Sequence, residues 1–560
     1  MTRLLIAAVL AAVSLAGVQP AATSVSWTAT PYETVLQQST RPAGAASSVT
    51  WDAAQNEFQS YQLLLRKTSK FTVTSVIFSD LTGAGTITSS NLSYQLQQYY
   101  DPTGSGTAVP DPLSNDASGA VPANITQSVW VTAYVPKKQT AGTYNGSVTV
   151  NATSGNTSFP IALTVYDVVV PDAIDSTYTS GTWSAFFTDY ADADGSAIAD
   201  DINNQYGYTR YSDQWWTLIG NIAREMKSER QNQVHVPIDT LLGGQTRLTG
   251  STYSFDWSVF DRFVQTFLAN GSIRSLRGGS LLNAGPGGNS SSVWVIDANR
   301  RVALAPVGSV AANRWLNQYI PALKAHLDAK GWTAMWYQSI SDEPANPAGF
   351  ESTVDIYRTY FGSISTTQDA INADQDAYVG SVDIWIPSVQ NYTANPGFYA
   401  DRQALGEQVW SYTCGYCADP GDGWLDRMST MPHYAAKETS WGNYAAGLTG
   451  FFHWGYNAWA ETGYTGTGGN EARPGDGYIV YPDPAHNTVR SSVRGLSTRD
   501  GLQDYELLRI LGAHDPATAH NLAASLVPSF DNFSDDIDLI VRQSKALRVA
   551  AAAASGRIRR

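Results

Sequence analysis

The stretch that decides the reading is Met335-Trp336-Tyr337-Gln338-Ser339-Ile340, followed at once by Ser341-Asp342-Glu343-Pro344. A short, mostly apolar and aromatic run bounded by turn residues predicts a buried strand. Two adjacent carboxylates end it, and Pro344 has no N–H with which to carry a sheet ladder onward. Moving outward, amphipathic helices are expected at 213–232, 257–269, 312–329 and 349–361. Further strand-like runs fall at 234–236, 378–385, 408–412 and 448–454. Such alternation predicts a parallel sheet closed into a (β/α)8 barrel over 175–548, with side chains at the carboxyl ends of the strands meeting in one mouth. Fewer than eight strands are visible, so closure is an inference. A doubly wound open sheet is the other arrangement, but no Gly-rich nucleotide loop follows the first strand.

The region 24–170 has a different rhythm. Short alternating runs at 62–65, 128–135, 144–150 and 161–170 are separated by turn residues, with no helical period between them. They predict an all-β sandwich ending at Pro171-Asp172. A chain of 560 residues is too long for one core, so a multidomain β plus α/β protein is expected, with the β-sandwich first and the barrel second. A last helix is expected at 504–511, opened by an Asp500–Gln503 capping box and closed by Gly512, with 549–560 as a tail. Residues 1–22 read as an export signal: Arg3, an apolar stretch at 4–13, then small residues. No later run is long enough to span a membrane, and the mature protein is expected to be secreted.

Charge narrows the partners. With 49 acidic against 35 basic residues and a net charge of −14, the chain lacks the basic footprint that nucleic acid or an anionic membrane requires. Charged residues make up only 15%, while Trp and Tyr number 17 and 30, which suits a protein that stacks rings on sugar faces. The two cysteines, Cys414 and Cys417, are expected to form a local disulfide bracing a loop. Neither they nor the seven histidines have metal-ligand spacing, so no metal or other cofactor is expected. There is no Gly-X-Ser-X-Gly elbow.

Cleaving a glycosidic bond requires an acid to protonate the departing oxygen and a negative group to stabilise charge at the anomeric carbon. Adjacent Asp342 and Glu343 supply both, and their repulsion keeps one protonated. When the sugar carries a 2-acetamido group, its carbonyl oxygen can serve as the nucleophile. Glu343 is then the acid/base and Asp342 the carboxylate that orients the acetamido N–H. The plainer reading of the pair is a turn cap.

Several segments, taken together, resemble glycoside hydrolase family 123. In the sandwich they are Asn56-Glu57-Phe58-Gln59-Ser60-Tyr61-Gln62-Leu63, Val109-Pro110-Asp111-Pro112-Leu113 and a closing hairpin over 129–150. Beyond it they are Phe255-Asp256-Trp257, Ser341 to Pro344, Asp383-Ile384-Trp385-Ile386-Pro387 and Val409-Trp410-Ser411-Tyr412. Phe451-Phe452-His453-Trp454-Gly455-Tyr456-Asn457-Ala458-Trp459 and Arg499-Asp500-Gly501-Leu502-Gln503-Asp504-Tyr505-Glu506 complete the series. The resemblance implies a β-sandwich and (β/α)8 barrel cleaving β-linked N-acetylgalactosamine by substrate-assisted retention, with Asp342 and Glu343 as the family's Asp-Glu pair. Tyr412 is expected to hold the acetamido carbonyl. Trp385, Trp454 and Trp459 are expected to wall the pocket, with Asn457 and His235 contacting sugar; core packing is the competing role for each. Arg499, Asp504 and Glu506 read as capping and ion-pair residues. The expected partner is a glycan. Two alternatives are a glycosidase for a non-acetamido sugar and a non-catalytic carbohydrate-binding surface protein. The sequence assigns no oligomeric state.

Overall fold

The computed structural model describes residues 24–185, 201–237, 241–242, 244–283, 290–362, 366–415, 423–459, 464 and 473–558. The expected export segment and Cys417 lie outside the described residues.

Two sheets share the N-terminal core. One is antiparallel, in the order Val25–Ala29, Glu57–Arg66, Thr126–Val135, Leu92–Gln97, Leu113–Ser114. The other runs Val49–Gln55, Thr157–Val169, Gly142–Ala152, Phe71–Phe78, Gly119–Val121, and its first pair is parallel. Strand alternation turns Leu63, Leu65, Val129 and Val131 of the first sheet onto Trp51, Val148, Val150, Ile161 and Leu163 of the second. Each such side chain contributes roughly 1.5–3 kcal/mol by leaving water. The segment 129–150 is not the expected hairpin. Its two strands lie in different sheets, and residues 136–141, opening on Pro136, carry the chain across. That connection is longer than the two-residue turn that would pair the strands directly.

Beyond Pro171 the long-range pairing turns parallel, in three sheets of three strands. Thr179–Thr182, Gly450–His453 and Ser411–Thr413 form the first. Gln233–Val236, Ser275–Gly278 and Trp336–Gln338 form the second. Gln368–Asp369, Ile384–Trp385 and Gln408–Val409 form the third. A parallel bridge from Gln338 to Thr367 joins the second to the third, and Asn232 N–H donating to the Ser180 carbonyl joins the second to the first. The expected strand at 378–385 is largely a 3-10 turn and loop, with only Ile384–Trp385 paired.

The expected helices are present, with caps that fix their starts. Ser212 accepts from Trp215 N–H to open Asp213–Ser228, and Ser309 accepts from Ala312 N–H to open Val310–Lys330. Asn346 with a proline in the first turn opens Pro347–Phe361. The helix expected at 504–511 starts far earlier. It runs Val493–Gly512 from an N-cap at Ser492, and Asp500 lies buried in its middle beside Arg499 rather than capping it. Its start is hidden in the sequence because the helix is buried on almost every side, so no apolar stripe marks it. Gly501 lets it cross Ala435–Ala445 closely, since a Cβ there would come within 2.6 Å of the Lys437 carbonyl. Two more helices follow, Pro516–Leu526 and Ile537–Ile558. The expected tail from 549 is therefore helical to Ile558, held by buried Ala551 and Ala554.

The terminal helix ties the two halves together. Arg548 is buried and pairs with Glu57 of the sandwich and with Asp504 at 3.0 Å. Asp504 also pairs with Lys437 and accepts from the Trp441 indole at 2.9 Å. Removing one partner from a buried ion network leaves the others uncompensated, at a cost of about 3–5 kcal/mol. Arg548→Ala is therefore expected to lower stability by about that amount, read as a fall in the denaturant midpoint. A conservative change at exposed Arg542 should leave the midpoint in place.

Candidate active site

The strand Trp336–Gln338 sits between Ser275–Gly278 on one side and the Thr367–Asp369 segment on the other. Its continuation, Ser339-Ile340-Ser341, carries the chain out of the sheet to Asp342. Ile340 is buried in the main core, and Ser341 shares a hydrogen bond with Ser290 at 2.8 Å. These anchors fix the approach to the carboxylate pair.

The two carboxylates then diverge. Asp342 is only 6% exposed, and among the described residues its Oδ1 has no hydrogen-bond partner. Burial first, then the neighbouring Glu343 charge, push its carboxyl well above the usual carboxylate range, with Arg277 pulling the other way. Glu343 is exposed to solvent. Its backbone takes φ +43°, a left-handed conformation unfavourable for a residue with a Cβ. Two contacts hold it there: its N–H donates to the Ala370 carbonyl at 2.9 Å, and its Oε1 accepts from Asn372 Nδ2 at 2.8 Å. Asn372 is itself fixed, because its Oδ1 accepts from Ser388 N–H at 2.7 Å. Pro344 is pinned by Tyr378, whose hydroxyl donates to its carbonyl at 2.7 Å.

One face of the parallel strands is lined by a small cluster distinct from the main core. It contains Ala370, Ile384, Ile386, Trp410, Tyr412 and Phe452, with Trp183, Tyr337 and Trp454 partly buried against it. The intervening residues Val234, Val236, Trp385 and Val409 point the other way, into the core shared with the helices. Strand alternation thus separates a helix-facing side from an inner side. Arg277 lies on the inner side, its guanidinium 4.9 Å from the Trp183 ring and 4.8 Å from Phe452. His235, in register with Arg277 on the adjacent strand, is buried, and burial with the Arg277 charge keeps it neutral.

The inner side therefore carries Tyr412, Trp454 and His235 together with Arg277, whose charge acts on Asp342. The other expected sugar contacts are employed elsewhere. Trp385 is fully buried on the helix side, packs edge-on against Phe398 and donates its indole N–H to Glu407 at 2.6 Å. Trp459 is also fully buried and donates to the Val480 carbonyl at 2.8 Å. Asn457 uses its amide on the backbone of Ala185, accepting at 2.9 Å and donating at 3.3 Å. Cys414 is disulfide-bonded. Four residues that the sequence did not single out stand beside the pair: Arg277, Asp369, Asn372 and Trp183. No motif marks them, because they come from three different strand ends, Asp369 and Asn372 sharing one. Among the described residues no group of three or more His, Cys, Asp or Glu side chains is arranged to hold a metal ion.

Chemically, the arrangement offers a solvent-reachable carboxyl beside a sequestered one, with aromatic rings on the same side of the sheet. Residues 197–511 match the family model for the glycoside hydrolase 123 catalytic domain, and residues 37–152 match that for its N-terminal domain. Among solved structures, the chain is similar to a family 123 glycoside hydrolase from Clostridium perfringens, studied for glycolipid glycan hydrolysis. The identity is 17% and the TM-score 0.74, over 96% of this chain and 99% of that one. A family 5 lichenase from Caldicellulosiruptor sp. F32 is far more distant, at 11% identity and a TM-score of 0.35 over 60% of this chain and 94% of that one. No curated protein matches the chain. The catalytic-domain match spans more than half of the sequence, and on that ground this chain belongs to glycoside hydrolase family 123.

Proposed function

We propose that the chain is a secreted, retaining β-N-acetylhexosaminidase, of galactosamine type by its family, that cleaves glycans by substrate-assisted catalysis. The observation that carries this reading is the opposite placement of two consecutive carboxyls: Glu343 exposed, Asp342 buried with an unpartnered oxygen. We read the three parallel sheets as arcs of one eight-stranded barrel, with Gln408–Val409 and Ser411–Thr413 as one interrupted strand. The joining bonds at Gln338–Thr367 and Asn232–Ser180 support that closure. The disulfide at Cys414 favours an oxidising compartment, in keeping with export.

In this mechanism Glu343 donates its proton to the glycosidic oxygen as the C1–O bond breaks. The acetamido carbonyl oxygen of the same sugar bonds to C1, giving a cyclic oxazolinium ion. Asp342 accepts from the acetamido N–H, which orients the carbonyl and offsets the positive charge. Glu343, now a carboxylate, takes a proton from water as that water opens the ring at C1, and the configuration is retained. In the free protein the buried Asp342 favours its neutral form. The acetamido N–H supplies the donor that its Oδ1 lacks, so substrate binding favours the carboxylate. Tyr412 and Trp454, on the inner side of the strands, are suited to contact the acetamido group and the sugar face.

A panel of aryl glycosides tests this. Only β-N-acetylgalactosaminides and β-N-acetylglucosaminides should be hydrolysed, and Glu343→Gln should lose about 10²–10⁴-fold in kcat, the usual range for a general acid. The loss should shrink with a better aryl leaving group, which needs less protonation. Hydrolysis of matching sugars without the acetamido group would refute the substrate-assisted mechanism.

Asp342 yields a second expectation, with opposite signs for activity and stability. Its folded-state pKa lies above the ordinary value of 3.8, so its contribution to stability is full below that value and is lost as pH rises through the folded pKa. Asp342→Asn should therefore melt at a higher temperature than the parent at about pH 8, match it near pH 3.5, and be nearly inactive throughout. Equal melting temperatures at both pH values would show that Asp342 carries no buried charge.

A further inference from the structure

Asp369 ends the strand Gln368–Asp369 and is fully buried. Its carboxylate accepts from the Ser339 hydroxyl at 2.7 Å, from Ile340 N–H at 3.1 Å to each oxygen, and from Ser341 N–H at 3.2 Å. These three donors belong to the three residues that precede Asp342. One buried carboxylate on the neighbouring strand thus fixes the backbone leading into the catalytic pair.

Burial raises the Asp369 carboxyl to about 7, against the pull of Arg277 and of its three donors. Arg277, reaching from the strand on the opposite side of Trp336–Gln338, attracts both Asp342 and Asp369. Asp342 is also faced by Glu343 from its own segment. Asp342 and Asp369 therefore share the Arg277 charge, and the one whose Oδ1 has no donor among the described residues is Asp342.

We propose that Asp369 is a positioning residue for Asp342, clamping Ser339–Ser341 from the adjacent strand. The inference rests on Asp342 being the acetamido-orienting carboxylate. Asp369 touches no substrate in this scheme; it acts by keeping the Asp342 carboxyl where the acetamido N–H arrives. A displacement of about 1 Å at such a group can cost about 100-fold in rate.

The test is a double-mutant cycle in the full-length chain, using an aryl β-N-acetylgalactosaminide. Asp369→Asn keeps the shape but sets an amide N–H₂ against the N–H donors. It should lower kcat by about 10–100-fold with KM changed by less than about threefold, and with a cooperative melting transition retained. Added to Asp342→Asn, it should cost less than a further twofold or so, because the residue through which it acts is already disabled. Independent losses that multiply would overturn the inference, as would a parental kcat in Asp369→Asn beside a crippled Asp342→Asn. A parental rate in Asp342→Asn would instead remove the acetamido reading. Should the chain hydrolyse no aryl glycoside, the clamp is read by crystallography. Asp369→Ala is then expected to move the Asp342 carboxyl by about 1 Å or more relative to the parent, and an unmoved Asp342 overturns the proposal.

Discussion

The cost of burying charge organises most of this molecule. Helix Val493–Gly512 is enclosed by protein on nearly every side, yet it carries Arg494, Arg499, Asp500, Asp504 and Glu506 into that position. An isolated buried ion costs several kcal/mol even after relaxation, so each of these residues dictates a neighbour. Arg494 requires Asp111 of the sandwich at 2.8 Å and the carbonyls of Arg427 and Gly475 at 2.7 Å. Asp504 requires Arg548 and Lys437. Glu506 accepts from the backbone N–H groups of Thr177 and Tyr178 at 2.9 and 3.2 Å, immediately before the strand Thr179–Thr182 begins. The sandwich, the terminal helix and the first parallel strand are therefore all fixed relative to one element by the same requirement.

At the carboxylate pair the requirement is left unmet. Among the described residues Asp342 has a buried oxygen with no donor, Glu343 holds a left-handed backbone, and one arginine acts on two carboxyls. Deficits of this kind are tolerated where a ligand can relieve them. A bound 2-acetamido sugar brings an N–H donor and develops positive charge near C1, which are the two things the site lacks. A sugar with a plain 2-hydroxyl supplies the hydrogen bond without the internal nucleophile. On the proposed mechanism it is the internal nucleophile, which a plain 2-hydroxyl lacks, that separates substrate-assisted cleavage from a simple double displacement.

How much could be read from the chain depends on which residues face inward. The strand before Asp342 is legible because Met335, Trp336 and Ile340 are apolar and the carboxylates adjoin them in sequence. The strands Thr179–Thr182, Ser275–Gly278 and Gln368–Asp369 are not, because their inner positions are filled by polar groups. Gln233 donates to Ser275 at 3.1 Å and to Gln368 at 3.0 Å, a satisfied network that leaves no apolar period to detect. The same alternation misleads for Trp385: Ile384 and Ile386 on either side of it face the inner cluster, so an aromatic inside a motif at a strand end can still point to the helices. Arg277 and Asp369 carry no sequence signal at all, since their relation to Asp342 exists only once three strands lie side by side.

Asn457 and Trp459 illustrate what their segment does instead of touching sugar. Tyr100 of the sandwich bonds the Tyr478 hydroxyl at 2.8 Å, and Tyr478 pairs through its backbone with Asn457. Asn457 holds Ala185, and Tyr456 N–H donates to the Trp183 carbonyl at 2.8 Å. Trp183 in turn stacks against Arg277, whose charge acts on Asp342. A continuous set of direct contacts therefore runs from a sandwich loop to the wall of the site. On this view the sandwich serves the active site by bracing the loop from which Trp183 projects. That bracing gives the sandwich a structural role at the end of the first parallel strand, Thr179–Thr182, where Trp183 meets Arg277.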